Sequence, residues 1–127
     1  MLKFAARLTH KKIAKALRIF ISSTSEDLEE YQTAARDAVL SAGCQPVMME
    51  YFTPQGKRKP LKACLREVDT CDGVIAILAH RYGWVPDDQP DGKAKSITWL
   101  ECERAVAAGI EVLGFVVGEK CAPPCNP

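Results

Sequence analysis

The sequence predicts a single α/β domain with a doubly wound, three-layer parallel sheet of flavodoxin-like type. Three observations lead there. Short β-branched and apolar runs alternate with segments whose apolar residues recur every three or four positions. The run Val74–Ala79 is apolar without interruption, as expected of a strand covered on both faces. The length of 127 residues fits one domain, near the usual size of about 100–200 residues.

The elements follow in order. Leu17–Ser22 is a β-branched and aromatic strand. After Ser23-Thr24-Ser25 comes a helix with Leu28, Tyr31, Ala35, Ala38, Val39 and Ala42 at helical spacing, ended by Gly43 in the left-handed conformation that glycine tolerates best. Pro46–Glu50 is the second strand. A Pro/Gly/Lys-rich loop, 53–59, then leads to a helix with Leu61, Cys64, Leu65 and Val68 on one face. Val74–Ala79 is the third strand. A polar loop with Pro86, Asp87, Asp88, Pro90, Asp91 and Gly92 precedes a helix from about Thr98, and Val112–Val117 is the fourth strand. Right-handed βα crossovers make the expected strand order 2-1-3-4. The expected sheet core is Ile19, Ile21, Val47, Ile75, Ile77, Leu113 and Phe115.

Residues 1–17 read as a basic extension, 18–119 as the domain, and 120–127 as a Pro/Cys tail or the start of a linker to further sequence. Six of the 17 bases precede the first acid, Glu26, so a net charge of +1 hides a basic tip on an acidic body. Contact of 1–17 with a membrane, nucleic acid or a partner, or a transit-peptide role, is the minor reading beside a plain extension. No apolar run approaches the roughly 18 residues of a membrane span. The cysteines at 64, 71 and 102 fall in or beside helical patterns and read as small buried hydrophobes of a reducing, cytoplasmic compartment. No CxxC spacing exists, and His10 and His80 stand far apart, so no metal is expected.

Open α/β sheets bind ligands beyond the carboxyl ends of their strands, at the point where strand order reverses. That places Ser22, Ser23, Thr24 and Ser25 after strand one, Glu50, Tyr51 and Phe52 after strand two, and His80, Arg81, Tyr82, Gly83 and Trp84 after strand three. The hydroxyl turn opens a helix and suits a phosphate, or it merely caps, with Ser23-x-x-Glu26 as a capping box. Arg81 between aromatic residues suits a phosphate and a base, or simply closes a loop. Glu101 is the candidate catalytic residue: Ala105 and Ala108 follow four and seven positions on, which turns its carboxylate toward the sheet. The competing reading makes Thr98-x-x-Glu101 a capping box, and Glu103 is a nearby rival acid. GxxxxGK[ST], GxGxxG and GxSxG are all absent, which disfavours P-loop hydrolases, Rossmann dehydrogenases and α/β-hydrolases.

Arg18-Ile-Phe-Ile-Ser-Ser-Thr-Ser-Glu-Asp-Leu, Met49-Glu-Tyr-Phe, His80-Arg-Tyr-Gly and Ser96-Ile-Thr-Trp-Leu-Glu-Cys-Glu resemble a family of domains of unknown function. That family is similar to Toll/interleukin-1 receptor (TIR) domains and sits ahead of signalling NTPase or repeat modules. The resemblance covers about residues 18–119 and implies kinship with nucleoside deoxyribosyltransferases and NAD-cleaving TIR domains, whose essential glutamate matches Glu101. Two functions follow from it. One is cleavage of an N-glycosidic bond in NAD or a related nucleotide, with no cofactor beyond that substrate: Glu101 acts at the sugar carbon, Ser22, Ser23, Thr24 and Arg81 hold phosphate, and Tyr82 or Trp84 stacks on the base, with Glu50 nearby. The other is a non-catalytic assembly module that self-associates through like domains.

Overall fold

The computed structural model describes residues 16–24, 28–48, 55, 57, 59–79 and 82–118. Strands β1 (Arg18–Ser23), β2 (Gln45–Met48), β3 (Gly73–Leu78) and β4 (Glu111–Val116) form one sheet in the order β2-β1-β3-β4. Every pairing is parallel. Helices α1 (Glu29–Ser41), α2 (Leu61–Asp69) and α3 (Ile97–Ala107) alternate with the strands. The predicted class and strand order are thus observed, with element ends displaced by a residue or two where fraying and capping decide them.

The pleat divides the core. Ile19, Ile21, Ile75 and Ile77 point to one face and meet Val39 of α1, together with Leu17 and Leu28. Phe20 and Val74 point to the other, where Val68 of α2 and Ala105 of α3 cover them. One helix on one face and two on the other give three layers. Leu61 and Cys64 of α2 extend the second face by packing on Ile97 of α3.

Four of the seven predicted core residues are buried, and three are corrected. Val47 and Leu113 are half-buried, and Phe115 is 47% exposed. Phe115 pairs in register with Ile77 and so shares its face, but α1 packs on β1, β2 and β3 and leaves β4 uncovered there. On α1 the apolar stripe is likewise narrower than the spacing suggests: Val39 is buried, whereas Tyr31, Ala38 and Ala42 are exposed.

Local chemistry fixes the ends. At the carboxyl end of α1, Gly43 has φ +78° and its N–H donates to the Leu40 carbonyl at 3.0 Å, the glycine stop expected there. At the amino end of the sheet, Asp72 accepts the Arg18 N–H at 2.9 Å and donates its own N–H to the Arg18 carbonyl at 2.8 Å, which locks β1 to β3. Arg104 of α3 grips Asp69 of α2 through two hydrogen bonds of 2.9 and 2.7 Å, joining the two helices of the second face.

Candidate functional site

Ser96, not Thr98, caps α3: its hydroxyl accepts the Trp99 N–H at 3.2 Å, and the helix begins at Ile97. Both residues are good N-cap types, and the Glu three positions after Thr98 favoured the wrong one. The correction matters for Glu101. Lying inside the helix rather than in a capping box, its carboxylate is spent on the sheet.

Thr98, Glu101 and Ala105 form the inner stripe of α3, all buried, with Glu101 at 0% exposure. The Ser22 hydroxyl, near the carboxyl end of β1, donates to Glu101 Oε1 at 2.6 Å and lies 3.1 Å from Thr98 Oγ1. Thr98 in turn donates to the Ser23 carbonyl at 3.0 Å. The 2.6 Å bond from Ser22 to Glu101 is in the range of hydroxyl–carboxylate contacts. Ser22, expected at a phosphate, is instead 1% exposed and engaged with Glu101. Two thiols flank the acid. Burial first, and then the Glu101 charge, push both the Cys64 and the Cys102 thiol up to about 11. Neither is a thiolate at neutral pH.

Thr98 also lines a cavity of about 810 Å³, within the range of small-molecule sites. Thr24 after β1 and Leu78–Ala79 at the end of β3 form its base, so it sits at the predicted switch point between adjacent strands. Its walls include Tyr82, Trp99, Cys102, Glu103 and Val106. Trp99, Cys102, Glu103 and Val106 are the outer stripe of α3, at spacings of three, four and seven, a pattern visible in the sequence but not singled out there. Tyr82 and Trp99 meet edge to face, with ring centroids 6.5 Å apart.

The loop that carries Tyr82 is fastened from several sides. Thr24 donates its N–H to the Ile77 carbonyl at 3.1 Å and accepts the Ala79 N–H on Oγ1 at 2.9 Å. Gly83, at φ +95°, passes so close that a Cβ would stand 2.6 Å from the Thr24 carbonyl oxygen. Beyond it, the buried Gln89 side chain donates to the Pro86 and Lys95 carbonyls at 2.8 Å each. Asp88 accepts the Leu61 N–H at 2.7 Å at the start of α2.

The other sequence candidates divide. Ser23 is half-buried and accepts a hydrogen bond from the Gln32 amide of α1, while Thr24 lines the cavity. Trp84 packs with Leu61, Cys64 and Ile97 rather than lining the cavity. Trp99 takes the aromatic place expected of it. Glu50 and Arg81 lie outside the described residues, as do Ser25, Glu26, Tyr51, Phe52 and His80. Among the described residues no group of three or more His, Cys, Asp and Glu is placed to hold a metal, and no helix is long and apolar enough to cross a membrane.

The chain belongs to the family described as Domain of unknown function (DUF4062), whose model matches residues 18–124. No curated protein and no solved structure matches it.

Proposed function

We propose that this member of the DUF4062 family is a TIR-like effector domain that takes NAD or a related nucleotide into the cavity and cleaves its N-glycosidic bond. The observation that carries the reading is Glu101, a buried carboxylate that accepts from Ser22 at 2.6 Å. Glu101 is not among the described lining residues, but Thr98, which shares the Ser22 hydroxyl with it, lines the cavity together with Thr24 and Leu78–Ala79 at the carboxyl ends of β1 and β3. In such a cleavage the bond between C1′ and the base nitrogen breaks, and its electron pair leaves with the base. The sugar carbon becomes oxocarbenium-like and is captured by water, whose spare proton passes to the solvent or the base. A carboxylate stabilises that carbon by charge or captures it transiently. On this reading Thr98, which lines the cavity and shares the Ser22 hydroxyl with Glu101, moves aside for the sugar, and ribose hydroxyls replace its hydrogen bonds. A cytoplasmic setting belongs to this reading, supported by Cys44, Cys64, Cys71 and Cys102 as free thiols.

A specific observation favours a second reading, a non-catalytic assembly module: Glu101 has 0% exposure and bonds to its own fold, as a structural acid does. One experiment decides between them. Purified protein, clustered artificially, is incubated with NAD and with nucleosides, and released base is followed by chromatography. Release by the wild type and none by Glu101→Gln is the expected result; no release by clustered wild type gives the assembly module.

A further inference from the structure

A cation already sits beside two residues of the cavity wall. Lys95, in the loop before α3, places its ammonium 2.9 Å from Glu103 Oε2 and 5.8 Å from the centroid of the Trp99 ring. Trp99 Nε1 points to the same carboxylate oxygen at 3.4 Å. Both Trp99 and Glu103 line the cavity, whereas Lys95 does not. The Lys95 hydrogen bond keeps the Glu103 carboxyl below the usual range, so it is ionised at neutral pH. The rest of the described lining is uncharged: Leu78, Ala79, Val106 and Ala107 are apolar, and Cys102 stays a thiol. Among the described lining residues no base faces a phosphate; what the wall offers is an indole, a phenol edge and one carboxylate.

We infer that this wall binds a flat organic cation, an N-alkylated pyridinium being the chemical class that fits, and that Lys95 is the internal competitor ligands of this class displace. Aromatic faces attract cations within about 6 Å, and a carboxylate beside the ring adds direct Coulombic attraction. A planar ring gains stacking on the exposed indole and an edge contact from Tyr82. The inference rests on the cavity being the ligand site of the reading above, but not on cleavage. It gives that reading a preference for the oxidised, positively charged form of a nicotinamide nucleotide over neutral-ring nucleotides.

The test is titration calorimetry with three probes: 1-methylnicotinamide, neutral nicotinamide and tetramethylammonium. The wild type should bind 1-methylnicotinamide more tightly than either of the others. Trp99→Ala should lose that binding, and Glu103→Gln should remove the preference for the cation over nicotinamide. Lys95→Met should tighten the cationic probe by roughly three- to tenfold, the scale of one exposed ion pair with a cation–π contact. Unchanged or weaker binding of 1-methylnicotinamide in Lys95→Met overturns the inference, since Lys95 would then not compete with the cation for the indole and the Glu103 carboxylate. Equal affinity for 1-methylnicotinamide and nicotinamide, equal affinity for tetramethylammonium, or no binding of any probe also overturns it. A protein that binds the cationic ring yet never cleaves a nucleotide upholds this inference and overturns the cleavage reading.

Discussion

A buried carboxylate is costly unless its oxygens are engaged, and at Glu101 the Ser22 hydroxyl is one group that engages it. Ser22→Ala should therefore lower unfolding stability by about 1–3 kcal/mol, read from urea unfolding, because it leaves the acid in place and removes a donor. Glu101→Gln is a different perturbation: an amide oxygen still accepts from Ser22, so the variant should fold, while base release disappears if the carboxylate acts at the sugar carbon. Asp37→Asn, on exposed α1, serves as the control and should leave release unchanged. The inward aim of Glu101 was legible from the small residue four positions on, for Ala105 is buried against the sheet, whereas Ala108, counted on the same face, is exposed at the cap that ends α3. The competing capping-box reading fails because Ser96 takes the cap, and local sequence does not say which of Ser96 and Thr98 will be claimed by Trp99 and which by the sheet. The bond from Ser22 to Glu101 was not legible for a related reason: a serine at a strand end looks the same whether it faces a ligand or a neighbouring helix.

Among the elements, the connection from β3 to α3 holds the aromatic wall, and its tightest point is Gly83. An added methyl would press on the Thr24 carbonyl at 2.6 Å, and φ +95° is strained for any L side chain. Gly83→Ala should cost about 1–3 kcal/mol in unfolding stability and, because Tyr82 is its neighbour, also weaken ring binding in the cavity. Stability lost without loss of binding would separate the turn from the site. The helices and strands around this loop were readable because hydrophobic period is a local property. The loop was not, since Gln89 bonding to Pro86 and Lys95 follows from a fold-back that no period encodes. The two tryptophans show the same boundary. Trp84 and Trp99 have one chemistry, and only the path of this loop decides that the first packs on α2 and the second lines the cavity.

For the whole molecule, burial of thiols ties stability to pH. Cys64 and Cys102 have folded values of about 11 against an ordinary 9.0, so the folded state keeps their protons longer than the unfolded chain does. That contribution is complete below pH 9 and is lost as pH rises toward 11; thermal melts should fall across this window and fall less in a Cys64→Ala, Cys102→Ala double variant. The sheet is also unevenly clad. Phe115 and Val116 are 47% and 78% exposed on a strand at the end of the sheet order, which among the described residues has a free edge of the kind that recruits another strand. Light scattering should accordingly detect weak, concentration-dependent self-association that Val116→Lys reduces; a strict monomer at every concentration counts against it. Strand order was legible because alternation and handedness leave few topologies, but which face of which strand lacks a covering helix is a global fact, and Phe115 carries no mark of it. That uncovered strand is paired to the cavity wall: Val116 is the register partner of Leu78, and the Val117 N–H reaches the Leu78 carbonyl at 2.7 Å. Amide exchange should accordingly begin at β4, each local opening loosening one side of the cavity. Any strand that docked on β4 would quiet that breathing, and by reciprocity a ligand that steadied the cavity would raise the association constant by the same factor, so that occupancy and assembly become two readings of a single equilibrium.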